Sequence, residues 1–341
     1  MRHIKTFILG ATLVLASWVA PALAADPPIQ LPGLGSSQVV LNQSPAETAR
    51  HALADDAKCT RCHDENESKP ILSIYQTPHG VSADPRTPSC QSCHGESEKH
   101  LAGDVTGKGR PPPDIVFGTK HTEAGYAPNS ATAQSETCLT CHKAGLRMHW
   151  PGSQHQVNDV ACASCHKIHS ANDPMLVKIE QPTVCFTCHK DQRAQTKQIS
   201  THPLDAGKMA CSDCHNPHGS AGPKLLAKNT VNETCYTCHA EKRGPFLWEH
   251  QPVNEDCTNC HTPHGSNITP LLKSRPPFLC DECHDGPHNS QAPYGNAVAG
   301  LQGGGVLPGG SPNSNAVGRA CMNCHVMVHG SNSPAGAFLH R

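Results

Sequence analysis

Cys211-Ser-Asp-Cys214-His215-Asn-Pro-His218 decides how the chain is read. Its first five residues form a Cys-x-x-Cys-His run, the pattern that attaches a c-type haem. Two thiols at this spacing can add across the two vinyl groups of one porphyrin, and the adjacent imidazole can ligate its iron. His218 does not fit that single site. A three-residue link spans at most about 10 Å, too short to carry a second imidazole round the porphyrin edge to the opposite face. His218 is therefore either spare or the ligand of a neighbouring haem. In the second case the octapeptide clamps two cofactors together.

The run recurs throughout the chain. All 20 cysteines fall into Cys-x-x-Cys pairs, and each pair is followed directly by His. In chain order the ten sites are Cys59/Cys62/His63, Cys90/Cys93/His94, Cys138/Cys141/His142, Cys162/Cys165/His166 and Cys185/Cys188/His189. They continue with Cys211/Cys214/His215, Cys235/Cys238/His239, Cys257/Cys260/His261, Cys280/Cys283/His284 and Cys321/Cys324/His325. An even cysteine count in an exported chain ordinarily points to disulfides, and zinc ribbons also use paired Cys-x-x-Cys. Zinc needs four ligands per metal and no adjacent His. The spacing assigns the cysteines to ten covalently attached haem c groups.

Composition agrees. The 341 residues contain 36% hydrophobic and only 4% aromatic side chains, with 28 Gly and 30 Pro. A chain of this length normally buries an apolar protein core, and this one lacks the large side chains for it. Residues 1–24 read as a cleaved secretory signal peptide, with a basic Met1–Lys5, an apolar Phe7–Ala20 and a small-x-small end at Ala22-Leu-Ala24. The apolar run is shorter than the roughly 20 residues of a spanning helix. Removing Arg2 and Lys5 changes the formal charge from −1 to −3 (25 basic against 28 acidic side chains), so nucleic acid is not an expected partner. The expected domains are the leader 1–24, an extended lead segment 25–50 and a decahaem domain 51–341 made of five haem-pair units.

Those units show in the spacing. The first sites of successive pairs begin at Cys59, Cys138, Cys185, Cys235 and Cys280, which lie 79, 47, 50 and 45 residues apart. Three middle units, Cys138–His169, Cys185–His218 and Cys235–His264, share one order: a site, a lone His 11–13 positions after its proximal His, a second site, then a His three positions on. Such self-similarity marks an array with atypical terminal repeats. Short helical turns are expected at the attachment runs. Thr87-Pro88, Pro111-Pro-Pro113, Gln181-Pro182, Asn216-Pro217 and Arg275-Pro-Pro277 rule out long helices. Residues 101–136 and 289–319 read as solvated connections. With about 32 mature residues per haem, the expected fold class is a multihaem cytochrome c, mostly loops and short α-helices around an elongated haem core, with little or no β-sheet.

Each iron needs a second axial ligand or an open position. Ten further histidines sit where the repeat places them. His79, His155, His202 and His250 precede a second site by 7 to 11 residues, and His169, His218 and His264 follow a proximal His by three. His100, His288 and His329 occupy looser versions of that place, six, four and four positions after theirs. Ten candidates for ten irons make the expected centres bis-histidine and low-spin. His51, His121, His149 and His340 have no repeated counterpart and are read as surface or propionate-contacting residues. Met148, Met175, Met209, Met322 and Met327 stand in no recurring place and are read as packing.

The chain resembles the MtrA/MtoA/PioA/DmsE family of outer-membrane decahaem c-type cytochromes over roughly residues 55–335. The resemblance rests on the ten sites in their pair order and on several strings: Asp159-Val-Ala-Cys-Ala-Ser-Cys-His166, Cys211-Ser-Asp-Cys-His-Asn-Pro-His-Gly-Ser220, Cys235-Tyr-Thr-Cys-His-Ala-Glu-Lys-Arg-Gly-Pro245, Leu247-Trp-Glu-His250 and Val328-His-Gly-Ser-Asn332. It implies a periplasmic protein held at the outer membrane by a β-barrel porin that screens its polar surface from lipid. The implied partners are periplasmic electron carriers, either small c-type cytochromes or an inner-membrane quinol-linked cytochrome. On the far side they are an extracellular multihaem cytochrome or iron itself. The implied function is an electron conduit between them, for Fe(II) oxidation or Fe(III)-oxide reduction, without catalytic residues. Ten touching haems at about 10 Å per step would extend roughly 80–100 Å, more than the ~40–45 Å of a bilayer. Two other readings are a free periplasmic electron carrier or store, and a multihaem oxyanion reductase. The reductase needs an open iron, often marked by Cys-x-x-Cys-Lys, and no such run occurs.

Overall fold

In each attachment run the His backbone N–H closes on the carbonyl of the first Cys four residues back. This is seen from His63 to Cys59 (3.1 Å) through His215 to Cys211 (2.9 Å) to His325 to Cys321 (2.9 Å). Residues at i, i+3 and i+4 of such a turn share one face, so both cysteines and the imidazole are turned toward one ligand. The computed structural model describes residues 54–64, 71–103, 109–284, 321–334 and 336–340. All belong to the compact unit Gln43–Arg341. The leader 1–24, the lead segment 25–50, His51, His288 and the connection 289–319 lie outside the described residues.

The two sites of a unit are entered differently. First sites end a helix, as in Ala131–Leu139, Gln181–Cys185, Val231–Tyr236 and Phe278–Asp281. Second sites begin a single turn, as in Cys90–His94, Cys162–Cys165, Cys211–Asp213, Cys257–Asn259 and Cys321–Asn323. The longest helix lying wholly within the described residues has nine residues, capped by the Ser130 hydroxyl on the Ala133 N–H. Pro182 stands in the first turn of its helix, where its missing N–H costs nothing. No strand occurs among the described residues. The only β pairings there are isolated bridges, Ser200 with Ser266, His215 with Leu226, Trp248 with Ser331 and His261 with Leu272.

A buried polar side chain from the first-site segment ties each of the first four units together by accepting the N–H that opens the second-site turn. Asp56 takes Cys90 N (2.6 Å), Ser135 takes Cys162 N (3.4 Å), Gln181 takes Ser212 N (2.9 Å) and Asn232 takes Cys257 N (2.8 Å). All four are less than 8% exposed. The Asn232 amide also donates to the Val253 and Asn254 carbonyls. Asn232→Ala strands these groups, and leaving a buried donor unmatched costs about 1–3 kcal/mol. Denaturant unfolding of the haem-loaded protein should show that loss, and unchanged stability would deny Asn232 this role.

The protein core is small. Val116, Trp150, Ala161, Met175, Ala210 and Leu272 are the buried hydrophobic residues among those described. Ile199, Leu176 and Leu146 are 83%, 79% and 72% exposed. Such surface fits a fold whose apolar filling is not polypeptide. One connection differs from expectation. Residues 109–118, read as solvated linker, pack on the second site, where Ile115 and Pro111 carbonyls meet His94 Nδ1 (2.9 Å) and His100 Nδ1 (2.7 Å). Phe117 stands edge-on to His94 at 5.3 Å. The segment supplies carbonyl acceptors that the short helical turns leave lacking.

Candidate haem sites

The cysteines form a continuous file. Within each unit the first thiols of the two sites are hydrogen-bond partners: Cys59 with Cys90, Cys138 with Cys162, Cys185 with Cys211, Cys235 with Cys257 and Cys280 with Cys321. Between units the second thiols lie within electrostatic reach: Cys93 of Cys141, Cys165 of Cys188, Cys214 of Cys238 and Cys260 of Cys283. In the free-thiol form these contacts push Cys138, Cys185 and Cys235 up and hold Cys162, Cys211 and Cys257 down, because one thiol donates to its partner. Thioether bonds abolish those titrations and leave the spacing. Attachment points 1 to 10 thus succeed one another in space as they do in sequence.

Not every cofactor-binding cysteine of the sequence reading is enclosed by protein. Cys62 and Cys324, the second thiols of the first and last sites, are exposed, and so are Cys141, Cys188, Cys238 and Cys283. This differs from the usual burial of a ligand-holding side chain. The reason is local: five of the six close a first-site turn at the end of a helix, and Cys324 closes the terminal turn. In these six runs the first thiol is half-buried and the second exposed, whereas in the runs at Cys90, Cys162, Cys211 and Cys257 both thiols are half-buried.

The histidines come together in pairs drawn from different places in the chain. Ring centres stand 6.2 Å apart for His63 and His100, 6.1 Å for His94 and His169, and 5.9 Å for His142 and His79. They stand 6.2 Å apart for His166 and His218, 6.1 Å for His189 and His155, and 6.0 Å for His215 and His264. The last three pairs are His239 with His202 at 6.4 Å, His261 with His329 at 6.1 Å and His284 with His250 at 6.0 Å. A metal bonded at about 2.0 Å to both imidazoles sets ring centres roughly 6.3 Å apart. Nine pairs leave a gap of that size. Among the described residues no three His, Cys, Asp or Glu side chains gather as they would around a bare metal ion.

Nδ1 is committed on many of these rings. His155, His202 and His250 bond the carbonyls of Pro217 (2.7 Å), Pro263 (2.9 Å) and Val328 (2.9 Å). Each acceptor directly precedes His218, His264 or His329 in the next unit. Fixing Nδ1 as the donor leaves the Nε2 lone pair facing away from the backbone, the arrangement that orients a metal-ligating imidazole. Burial foremost, then neighbouring imidazoles or cations, keeps His218, His264 and His329 below the ordinary range and therefore neutral. His218 Nδ1 is buried with no hydrogen-bond partner. Such an orphaned nitrogen is costly unless a group beyond the polypeptide meets it.

Two-residue bridges fix these crossings. Ser200 and Ser266 exchange N–H···O bonds of 2.8 and 2.9 Å, and Trp248 and Ser331 do the same at 2.9 and 2.8 Å. In both, a residue two before a lone His pairs with one two after the trailing His of the next unit. Gly219 follows His218 with φ at +109°, and a Cβ there would run into the His149 backbone carbonyl. Gly330 holds the same place after His329, pressed on the Phe246 ring.

The tenth site differs. His340 lies 4.4 Å from His325, ring centre to ring centre, too close for an iron between them. His325 Nδ1 bonds the Phe338 carbonyl (2.6 Å), as His215 bonds Lys224 (3.0 Å) and His261 bonds Pro270 (2.9 Å). Each acceptor is followed by a leucine of positive φ, Leu339, Leu225 or Leu271. His340 thus holds the place of Leu226 and Leu272, beside the proximal ring. His121 and His149 are exposed. The sequence reading missed the acceptors Asp56, Ser135, Gln181 and Asn232. Their signal was a polar residue three or four before the first Cys of each unit.

Repeated attachment turns, filed thiols and paired imidazoles define a multihaem c-type cytochrome, an electron-transfer protein with covalently bound haem c. Residues 155–194, 202–244 and 250–289 match the doubled CXXCH motif family. Each matched segment runs from a lone His to just beyond the first site of the next unit, so it contains one whole ring pair, such as His155 with His189. The chain is 44% identical over 289 residues to the multihaem cytochrome MtrA of Shewanella baltica, covering 83% of this chain and 80% of that protein. It belongs to the MtrA family of multihaem cytochromes. It is also similar to the c-type cytochrome protein NrfB of Escherichia coli, 30% identical over 146 residues (40% of this chain, 67% of that one). NrfB of Haemophilus influenzae is 24% identical over 185 residues (53% and 76%).

Proposed function

We propose that the chain carries ten haem c groups, bis-histidine throughout, and conducts electrons across the outer membrane inside a porin. The observation that carries this reading is the set of nine ring pairs, each spaced for one metal, along an unbroken file of attachment cysteines. When bound, haem c supplies a reversible one-electron iron couple. The paired imidazoles would hold each iron and leave it no place for substrate, and with no methionine among the pairs they would favour low potentials. His288, the one candidate distal histidine outside the nine pairs, serves the tenth site. On this reading the twenty cysteines, from Cys62 at one end to Cys324 at the other, hold the haems, and the ten proximal and ten distal histidines hold the irons.

No helix among the described residues is long and apolar enough to cross a membrane. A conduit of this kind therefore needs a protein sheath, and a β-barrel porin supplies one. Periplasmic cytochromes then load one end, and the other meets an extracellular multihaem cytochrome or iron, in either direction. The test is electron transfer across proteoliposomes with a reductant sealed inside and ferric oxide outside. Transfer should require both this protein and the porin. Equal transfer without the porin would overturn the conduit and favour a free periplasmic carrier. Near one haem equivalent of high-spin ferric signal in the native protein would instead revive the reductase reading.

A further inference from the structure

The five second-site proximal histidines form a natural comparison series, and one member differs. His94, His215, His261 and His325 each place Nδ1 against a backbone carbonyl, at 2.9, 3.0, 2.9 and 2.6 Å. His166 places its Nδ1 on a carboxylate instead, 2.6 Å from Asp173 Oδ2. The Asp173 side chain is only 12% exposed. Its other oxygen, Oδ1, accepts from the Lys167 N–H (3.3 Å) and the Met175 N–H (3.1 Å). Asp173 also stands at the N-cap of the turn Pro174–Leu176. The carboxylate is thus held in place from both sides. Glu241, near the first-site histidine His239, is no equivalent: its oxygen is 3.8 Å from Nδ1 and its side chain 60% exposed.

We propose that Asp173 is a positioning residue that sets the haem of the fourth site, attached at Cys162 and Cys165, to a lower potential than its second-site counterparts. The inference rests on the reading above that His166 is an axial ligand there. A hydrogen bond to an ionised acceptor is about twice as strong as one to a neutral carbonyl. It draws the Nδ1 proton outward, raises the basicity of the ligand nitrogen and favours the ferric state. Site 4 lies inside the file, its Cys162 against Cys138 of site 3 and its Cys165 near Cys188 of site 5. Among the five second sites, the haem of site 4 is therefore the one of lowest potential. The other carbonyl-bonded second sites lack this feature, so the energy profile of the file is uneven by construction.

Asp173→Asn keeps the side-chain shape and removes the charge. In a spectropotentiometric titration of the haem-loaded protein, about one tenth of the total absorbance change should move to higher potential, out of the low-potential limb. Asp173→Ser, which keeps a capping hydroxyl, should move the same fraction the same way even if the asparagine variant folds poorly. Asp205→Asn, at an exposed carboxylate paired with Lys197, should leave the curve unchanged. Unmoved titrations in both Asp173 variants, with ten low-spin haems retained, would overturn this inference and leave bis-histidine ligation standing. A high-spin equivalent traced to site 4 in the unaltered protein would overturn both.

Discussion

His218→Ala should convert one haem of ten to a high-spin, ligand-accepting form, and that haem is the one attached at Cys162 and Cys165. Its own neighbour in sequence, the haem of His215, should stay low-spin. The expectation follows from ring geometry: His218 lies 6.2 Å from His166 and nearly parallel to it, at 9°. His215 faces His264 instead, at 6.0 Å. Electron paramagnetic resonance should show about one equivalent of high-spin iron, and carbon monoxide should bind the reduced variant to the same extent. Replacing Cys162 and Cys165 by Ser in the same chain should abolish both signals. Their survival in that background, or their loss when Cys211 and Cys214 are replaced instead, would refute the assignment.

Gly219→Ala should be strongly destabilising. The position has φ at +109°, and the new Cβ would meet the His149 backbone carbonyl and Cβ. Strain at such a φ costs about 1–3 kcal/mol, and a collision with fixed backbone adds a comparable amount. The combined loss is about 3 kcal/mol or more, and the displaced loop should draw His218 off its iron. Gly152, at φ +81° with nothing near its missing Cβ, supplies the control. Gly152→Ala should cost only about 1–2 kcal/mol and leave the spectrum unaltered. Equal stability of the two variants would show that the close approach to His149 does not matter.

The attachment sites were readable from sequence because covalent haem chemistry demands fixed residue types at fixed spacing. Their exposure was not: spacing names Cys62 and Cys324 as attachment points without saying that protein leaves them open. Distal candidates were readable for a weaker reason: His79, His155, His202 and His250 each precede the second site in one of the first four units. Their partners were not. A spacing of three between His215 and His218 excludes one shared iron, and nothing local says that the His218 ring stands opposite His166, 52 residues earlier. That choice is made by backbone crossings such as Ser200 with Ser266; His-Gly-Ser recurs at 218–220, 264–266 and 329–331, but nothing in it names the segment it pairs with. The unit ties were hidden for another reason. Asp56, Ser135, Gln181 and Asn232 perform one task with four side chains, since any buried acceptor of suitable length can receive an N–H. The linker reading of 109–118 failed because carbonyls need no particular residue type to bind an imidazole.

The ring pairs follow one rule inside the array. A lone histidine goes forward to the first site of the next unit, as His155 goes to His189, and a trailing histidine goes back to the second site of the previous one, as His218 goes to His166. Residues 1–58 hold no Cys-x-x-Cys-His run, and His100 pairs with His63 of its own unit. This makes the chain behave like a zip fastener whose length changes only in whole teeth. Excising Cys185–His218 with its connection would leave His155 free to meet His239 and His264 free to meet His166, so the closure repairs itself. Excising a single site would leave an imidazole without an iron on one side of the cut and an iron without an imidazole on the other. Growth or shrinkage of such a protein is therefore quantised in steps of two haems.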